Sequence, residues 1–304
     1  MIFMKAAVVM KFGPPEGVQI VDLDKPDPKP NEILIKNHAT TVTFGDALLR
    51  RMKFPVRVVF GLFMGGLGKG KILGHEFSGV VESVGNEVTQ FKPNDLVFGS
   101  MGMKGGAHAE YICVPVDSMV TIKPSTMTFE QAAAVPVGAN TALHILRSAN
   151  IQKGDEVLVY GASGSVGSYA IQLAKFWGAS VTAVCSSANF EWVRELGAQT
   201  LIDYKKTDFT QTGAKYDVIF DAVRKISASK CKSSLKEHGV FLSSSASTDE
   251  KIENLVFLRE LIESRKLKAF IDRTFTLEDI AEAHRLVDTG RKRGNVVIIF
   301  HHPA

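Results

Sequence analysis

The sequence predicts an α/β chain in which a doubly wound parallel sheet is joined to a β-rich domain. Three observations carry that expectation. Residues 1 to about 125 read as short β runs separated by Pro, Gly and Asn. Beyond "IQKGDE", strands and helices alternate, the pattern of right-handed crossovers in a parallel sheet. Within the alternating part lies a glycine-rich turn that directly follows a strand and opens a helix.

The bulk properties fit. A chain of 304 residues buries about three quarters of its unfolded surface and needs no staples for a core. The formal charge of +4 is dispersed, with small clusters such as Lys205-Lys206 and Arg291-Lys292-Arg293. Such clusters read as solvated surface, so no nucleic-acid partner is expected. Cys113, Cys185 and Cys231 are far apart, with no CxxC pair, which suits a reducing compartment and a cytoplasmic protein. The N-terminus "MIFMKAAVVMKFG" is too short and too soon charged for a signal peptide. The most apolar later stretch, "FPVRVVFGLFMGGLG", falls short of the ~20 apolar residues of a span, so no membrane association is expected. It reads either as a mobile loop near a pocket or as a buried connection.

In chain order, the β-rich part contains "KAAVVM", "EILIKNHAT", "SGVVESVG" and "AEYICVP", with Pro26, Pro28 and Pro30 marking an early loop. "TFEQAAAVPVGANTALHILRSAN" reads as helical at both ends and broken at Pro136-Val137-Gly138. Strand "EVLVY" then precedes helix "SVGSYAIQLAKFWG", where Ala170, Leu173, Ala174 and Trp177 share one face. Strand "SVTAVCSS", helix "NFEWVRELG" and strands "TLIDY", "YDVIFDAV" and "GVFLSSS" follow, with a helix expected around "ISASKCKSSLKEH". The tail ends in helix, turn and strand.

The turn Gly161-Ala162-Ser163-Gly164-Ser165-Val166-Gly167 is GxxGxxG. After a strand and before a helix, its glycines allow a tight turn and close approach of amides to a pyrophosphate, while the helix N-terminus adds partial positive charge. The second strand ends in Cys185-Ser186-Ser187 with no acid. An Asp within ~4 Å of a 2′-phosphate would cost about 4 kcal/mol per charge at an effective dielectric near 20, so its absence favours NADP(H). Ser186 and Ser187 can donate hydrogen bonds, and Tyr204, ending the third strand, can lean over the adenosine.

Taken in order, these motifs resemble the medium-chain dehydrogenase/reductase superfamily, and most closely its zinc-independent quinone oxidoreductase (zeta-crystallin-like) branch. The resemblance runs from "MKAAVVMKFG" through "GHEFSGVVESVGNEVTQFKPNDLVFG", "AAAVPVGANTALHIL" and "ELGAQTLIDYKKTDF" to "GRKRGNVVI". It implies a GroES-like catalytic domain over residues 1–125, completed by 258–304, and a Rossmann domain over 126–257. It also implies that Thr141 lies near the nicotinamide and phosphates, and that Val223 and Asn295 line the cofactor. A helix-capping Thr, a core Val and a turn-forming Asn are the structural alternatives.

In zinc-dependent relatives a Cys lies in the "TTVTFGDALL" region, a His in Gly74-His75-Glu76, and a Cys or acid near "PVGANTA". Thr43 and Val137 stand at the first and last of these places, and the family's four-cysteine lobe is missing. Catalytic zinc takes three ligands from protein. One imidazole cannot approach the ~10–16 kcal/mol that a full structural zinc set provides. No metal is expected, and His75 reads as a partly buried hydrogen-bonded residue, Glu76 as a locally satisfied charge and Asp46 as structural.

Without a Lewis acid, the expected reaction is hydride transfer from NADPH to a quinone or an α,β-unsaturated carbonyl, with Thr43 and Asn140 as polar contacts to substrate. An NADPH-dependent carbonyl reductase or alcohol dehydrogenase and a non-catalytic NADPH-binding sensor fit the same motifs. Only "ASTDEKIEN" separates "GVFLSSS" from "LVFLRELIESRK", where relatives carry another strand that commonly pairs across a dimer. Either the chain is naturally shortened there or residues are absent; a homodimer is possible, with the strand for its sheet extension missing.

Overall fold

The computed structural model describes residues 2–53 and 70–302. The "FPVRVVFGLFMGGLG" stretch lies outside the described residues. The chain divides into two compact units, one comprising Met1–Val137, Glu250–Arg259 and Ile271–Ala304 and the other Gly138–Asp249 and Glu260–Phe270.

The first unit opens with β1 (Phe3–Val9), β2 (Val18–Asp24) and β3 (Glu32–Thr41). Helix α1 (Phe44–Arg51) follows, then β4 (Lys71–Ile72), β5 (Glu76–Val84), β6 (Leu96–Ser100), β7 (Tyr111–Pro115) and β8 (Val120–Ile122). β1 pairs with both β2 and β4 in a three-stranded antiparallel sheet. The short helix α2 (Phe129–Ala133) starts at a capping box, in which the Thr128 hydroxyl accepts from the Gln131 amide and the Gln131 side chain accepts from the Thr128 amide.

Helix α3 (Pro136–Arg147) begins at the proline. The break therefore falls at Ala134-Val135, ahead of the expected Pro136-Val137-Gly138. A proline at the first helical position loses no hydrogen bond and has φ already set for a helix, so Pro136 starts the second helix.

In the second unit β9 (Glu156–Tyr160), α4 (Ser165–Phe176), β10 (Ser180–Cys185), α5 (Phe190–Glu195), β11 (Thr200–Asp203) and β12 (Tyr216–Asp221) follow in alternation. A single turn, α6 (Ala228–Cys231), precedes β13 (Leu235–Ser243). All pairings are parallel, in the order β11-β10-β9-β12-β13, the doubly wound arrangement. In α4 the expected Ala170, Leu173 and Ala174 are buried, but so is every residue from Gly167 to Ala174, and Trp177 is the half-buried C-cap. The helix expected over "ISASKCKSSLKEH" is a correction. Its serines compete with the helical backbone for hydrogen bonds, so one turn forms over the buried Cys231. Lys236, Glu237 and His238 instead lie exposed in β13. No strand lies between β13 and the next helix among the described residues, which leaves β13 at the sheet edge.

The tail supplies α7 (Ile252–Glu263), β14 (Ile271–Thr276), α8 (Ile280–Asp288) and β15 (Asn295–Ile299). β15 pairs antiparallel with β3, so the large sheet of the first unit runs β14-β15-β3-β5-β6-β8, with β7 also on β3. Two apolar cores stabilise this unit. Ala7, Val42, Leu49, Ile280 and Ile298 belong to one, and Ile33, Phe77, Val81 and Val97 to the other. The fully buried Arg50 ties α1 to α8 by donating to Asp288, and it also donates to the carbonyl of Gly13 and to His284 Nδ1.

Candidate functional site

The glycine turn lies at the C-terminal end of β9, the central strand. The amides of Gly161 and Ala162 donate to the Val184 carbonyl at 3.0 and 3.1 Å, which holds the turn against β10. Gly161 has φ +79°, and a Cβ there would fall 2.4 Å from Val223 Cγ1. A Cβ on Gly167 would fall 2.3 Å from the Gly161 carbonyl oxygen. Both positions thus exclude side chains so that helix and strand can approach. Gly164 is the N-cap of α4, and no side chain caps the helix. A helix N-terminus of this kind carries partial positive charge and first-turn amides that no intrahelical carbonyl satisfies.

Val223, 38% exposed, packs over Gly161. Its loop is set by the buried Asp221 carboxylate, which accepts from the amides of Val223, Lys225 and Ile226 at 3.0, 2.7 and 2.9 Å. Thr141 is half-buried on α3, and Asn140 donates to the Asp249 carbonyl at 3.0 Å. Asn295 is buried at the start of β15 in the first unit.

At the end of β10 the structure adds a residue that the sequence reading missed. Parallel pairing sets Cys185 opposite Asp203, the last residue of β11. The Asp203 carboxylate accepts from the Lys205 amide at 3.0 Å, and that bond, with others from the Ser187 side chain and backbone, holds its pKa below the usual carboxylate range. Ser187 is thus committed to an acid, while Ser186 is half-buried and Tyr204, Lys205 and Lys206 are exposed around it. A local scan of the second strand cannot find this carboxylate, because it arrives by register from the neighbouring strand.

In the first unit, Thr43 is the N-cap of α1. Its amide and hydroxyl both donate to Asp46 Oδ2, at 2.8 and 2.6 Å, and its oxygen accepts from the Asp46 amide at 3.1 Å. Asp46 Oδ1 accepts from the Gly74 amide and from His75 Nδ1, each at 2.8 Å. Burial resists ionisation of Asp46, but the His75 imidazole and these bonds hold its pKa well below the usual range. Glu76, also buried, accepts from the Thr41 hydroxyl and, at 2.7 Å, from the Val137 amide. Burial nevertheless pushes its carboxyl up to about 7. For His75, burial works against protonation, yet Asp46, Glu76 and Glu250 outweigh it and raise its pKa.

This donor set does not fit a zinc ion. The Thr43 hydroxyl is spent on Asp46, Val137 contributes only an amide, and both Glu76 oxygens are occupied. Among the described residues no group of three or more His, Cys, Asp or Glu is placed to hold a metal. All three cysteines are free thiols. No described helix is long and apolar enough to cross a membrane.

Two family models match the chain. Residues 29–125 match the alcohol dehydrogenase GroES-like domain, and residues 165–289 match the zinc-binding dehydrogenase family. The chain is 33% identical to 2-methylene-furan-3-one reductase of Solanum lycopersicum, across 97% of this chain and 79% of that protein. It is 32% identical to the chloroplastic NADPH-dependent alkenal/one oxidoreductase of Arabidopsis thaliana, with the same coverage of 97% and 79%. The quinone oxidoreductase structure from Coxiella burnetii superposes with a TM-score of 0.85 at 30% identity, covering 99% of this chain and 100% of that one.

Proposed function

The chain belongs to the medium-chain dehydrogenase/reductase superfamily, in its quinone oxidoreductase branch, and is an NAD(P)-dependent oxidoreductase; on that premise we propose that it transfers hydride from NADPH to quinones or α,β-unsaturated carbonyls. The observation that carries this reading is the Asp46–His75–Glu76 cluster, in which Asp46 is bonded to His75 and both Glu76 oxygens are taken by Thr41 and the Val137 amide, a set that does not fit a Lewis acid. An unactivated alcohol or ketone gains little from such a site. A conjugated acceptor delocalises the incoming charge itself, so positioning and one hydrogen-bond donor are sufficient help. Relatives named as a furanone reductase and an alkenal/one oxidoreductase support the same substrate class.

The glycine turn and the uncapped N-terminus of α4 would hold the pyrophosphate, with Val223 and Thr141 nearer the nicotinamide. The choice of NADPH rests on the corner formed by β10 and β11. Asp203 is kept ionised there by hydrogen bonds from Ser187 and the Lys205 amide. The exposed ammonium groups of Lys205 and Lys206 outnumber it two to one, so the corner favours a 2′-phosphate. A reducing, cytoplasmic-type compartment accords with three free thiols.

The test is a panel of quinones, enones and simple aldehydes, each with NADPH and with NADH. Rapid NADPH oxidation with the first two classes is expected. Turnover confined to aldehydes would overturn the substrate assignment, and comparable KM values for both cofactors would overturn the preference.

A further inference from the structure

The sequence shows no acid–base pair, because its two members stand 29 positions apart, on α1 and just ahead of β5. The fold joins them. The geometry points to His75 as the catalytic residue that hands a proton from Nε2 to the oxygen of the reduced substrate, with Asp46 as the positioning residue behind it. This inference rests on the enone or quinone reading above.

Asp46 is ionised and accepts four bonds, so it can only be an acceptor toward His75. The ring must then carry its first proton on Nδ1, and any second proton resides on Nε2. Nε2 has no hydrogen-bond partner among the described residues and is not among the sealed, partnerless atoms. The side chain keeps 10% exposure. The arrangement is therefore an imidazole fixed from behind by a buried carboxylate, with no described residue bonded to its other nitrogen, which suits a directed proton donor.

A carboxylate behind a histidine is also the outer half of a typical metal site, where it sets the tautomer and basicity of the ligand. Here Thr43 and Val137 withhold the remaining donors, and the orienting half survives with nothing to orient but a proton. The charged groups facing His75 are Asp46 from α1, Glu76 from β5 and Glu250 ahead of α7. His108, which is fully buried and held neutral by burial, faces it as well. Three carboxylates favour the imidazolium, and a neutral imidazole does not oppose it strongly.

The step balances with a reduced nicotinamide as the hydride donor. The β-carbon of the enone gains hydride and its electron pair, the C=C π pair moves to form an enolate, and the nicotinamide is oxidised. The enolate oxygen takes the Nε2 proton to give the enol, which tautomerises to the saturated carbonyl. Neutral His75 keeps its Nδ1–H on Asp46 and is reprotonated by solvent. For a quinone, the same proton completes the hydroquinone.

The experiment compares full-length wild type, His75→Gln and Asp46→Asn with NADPH and an α,β-unsaturated ketone across pH 5 to 9, about the range over which a raised histidine pKa titrates. For the wild type, kcat/KM should be flat at low pH and fall above a pKa higher than the ordinary histidine value. His75→Gln should lower kcat by about a hundredfold or more, the usual worth of a general acid, and abolish that basic limb. Asp46→Asn should move the limb to lower pH. Nitrogen-resolved NMR of the unliganded wild type should show the Nδ1–H tautomer and the raised pKa, a readout independent of whether the variants fold. A basic limb that persists in a folded His75→Gln, or an Nε2–H tautomer by NMR, overturns this assignment while leaving the reductase reading intact. Absence of wild-type turnover with both enones and quinones overturns both.

Discussion

The glycine turn after β9 and the polar cluster around His75 are built on opposite plans. The turn uses backbone amides and missing side chains, all within seven consecutive residues from Gly161 to Gly167. The cluster uses side chains brought from α1, β3 and β5, with backbone amides of Gly74 and Val137, around the buried carboxylates of Asp46 and Glu76. A backbone-built site can be altered locally with limited damage elsewhere, whereas a buried side-chain network fails as a unit.

The sharpest way to break that contrast is Asp46→Ala. It removes the reciprocal half of the α1 capping box and leaves the Gly74 amide and His75 Nδ1 without their acceptor. About 3–5 kcal/mol of stability should be lost, read as a lowered urea midpoint with little change in slope. Gly167→Ala should be milder for the fold but severe for the cofactor. Its Cβ would meet the Gly161 carbonyl oxygen at 2.3 Å, and NADPH affinity by titration calorimetry should fall roughly a hundredfold, about 2.7 kcal/mol. If Gly167→Ala destabilises the chain more than Asp46→Ala, the contrast is wrong.

Glu76 sharpens the comparison through pH. Its folded pKa, about 7, lies above the ordinary 4.5. The stability favouring its protonated form is therefore complete below about pH 4.5 and lost as pH rises towards 7, roughly 3 kcal/mol in all. Glu76→Gln can offer its amide oxygen to Val137 and its amino group to Thr41. Thermal melts of this variant should lose that pH dependence and match or exceed the wild type at pH 8. The smallest effect is expected at the exposed corner. Lys205→Ala combined with Lys206→Ala should reduce the NADPH-over-NADH ratio of kcat/KM by about tenfold, near 1.4 kcal/mol, and leave melting unchanged.

The alternation of strand and helix, the buried Ala170, Leu173 and Ala174 of α4 and the glycine turn were legible because each depends on residues close together in the chain. Where reading failed, the controlling contact was either local chemistry weighed wrongly or a partner distant in sequence. Pro136 was read as a breaker because proline interrupts helices, but at a first helical position it begins one. The stretch "ISASKCKSSLKEH" has helical-looking ends, yet its serines favour local bonds and Leu235 onward joins the sheet edge. Asp203 escaped notice because only the register of β11 on β10 sets it opposite Cys185.

By itself, then, the sequence determined the fold class, the family and the dinucleotide turn, since backbone freedom at glycine and hydrophobic period are written in neighbouring residues. It also showed that Thr43 and Val137 deny a metal its ligands. Tertiary structure decided what His75 does instead. A titratable group takes its charge and tautomer from whatever carboxylates the fold packs around it, and those of Asp46 and Glu250 reach His75 only when distant segments come together.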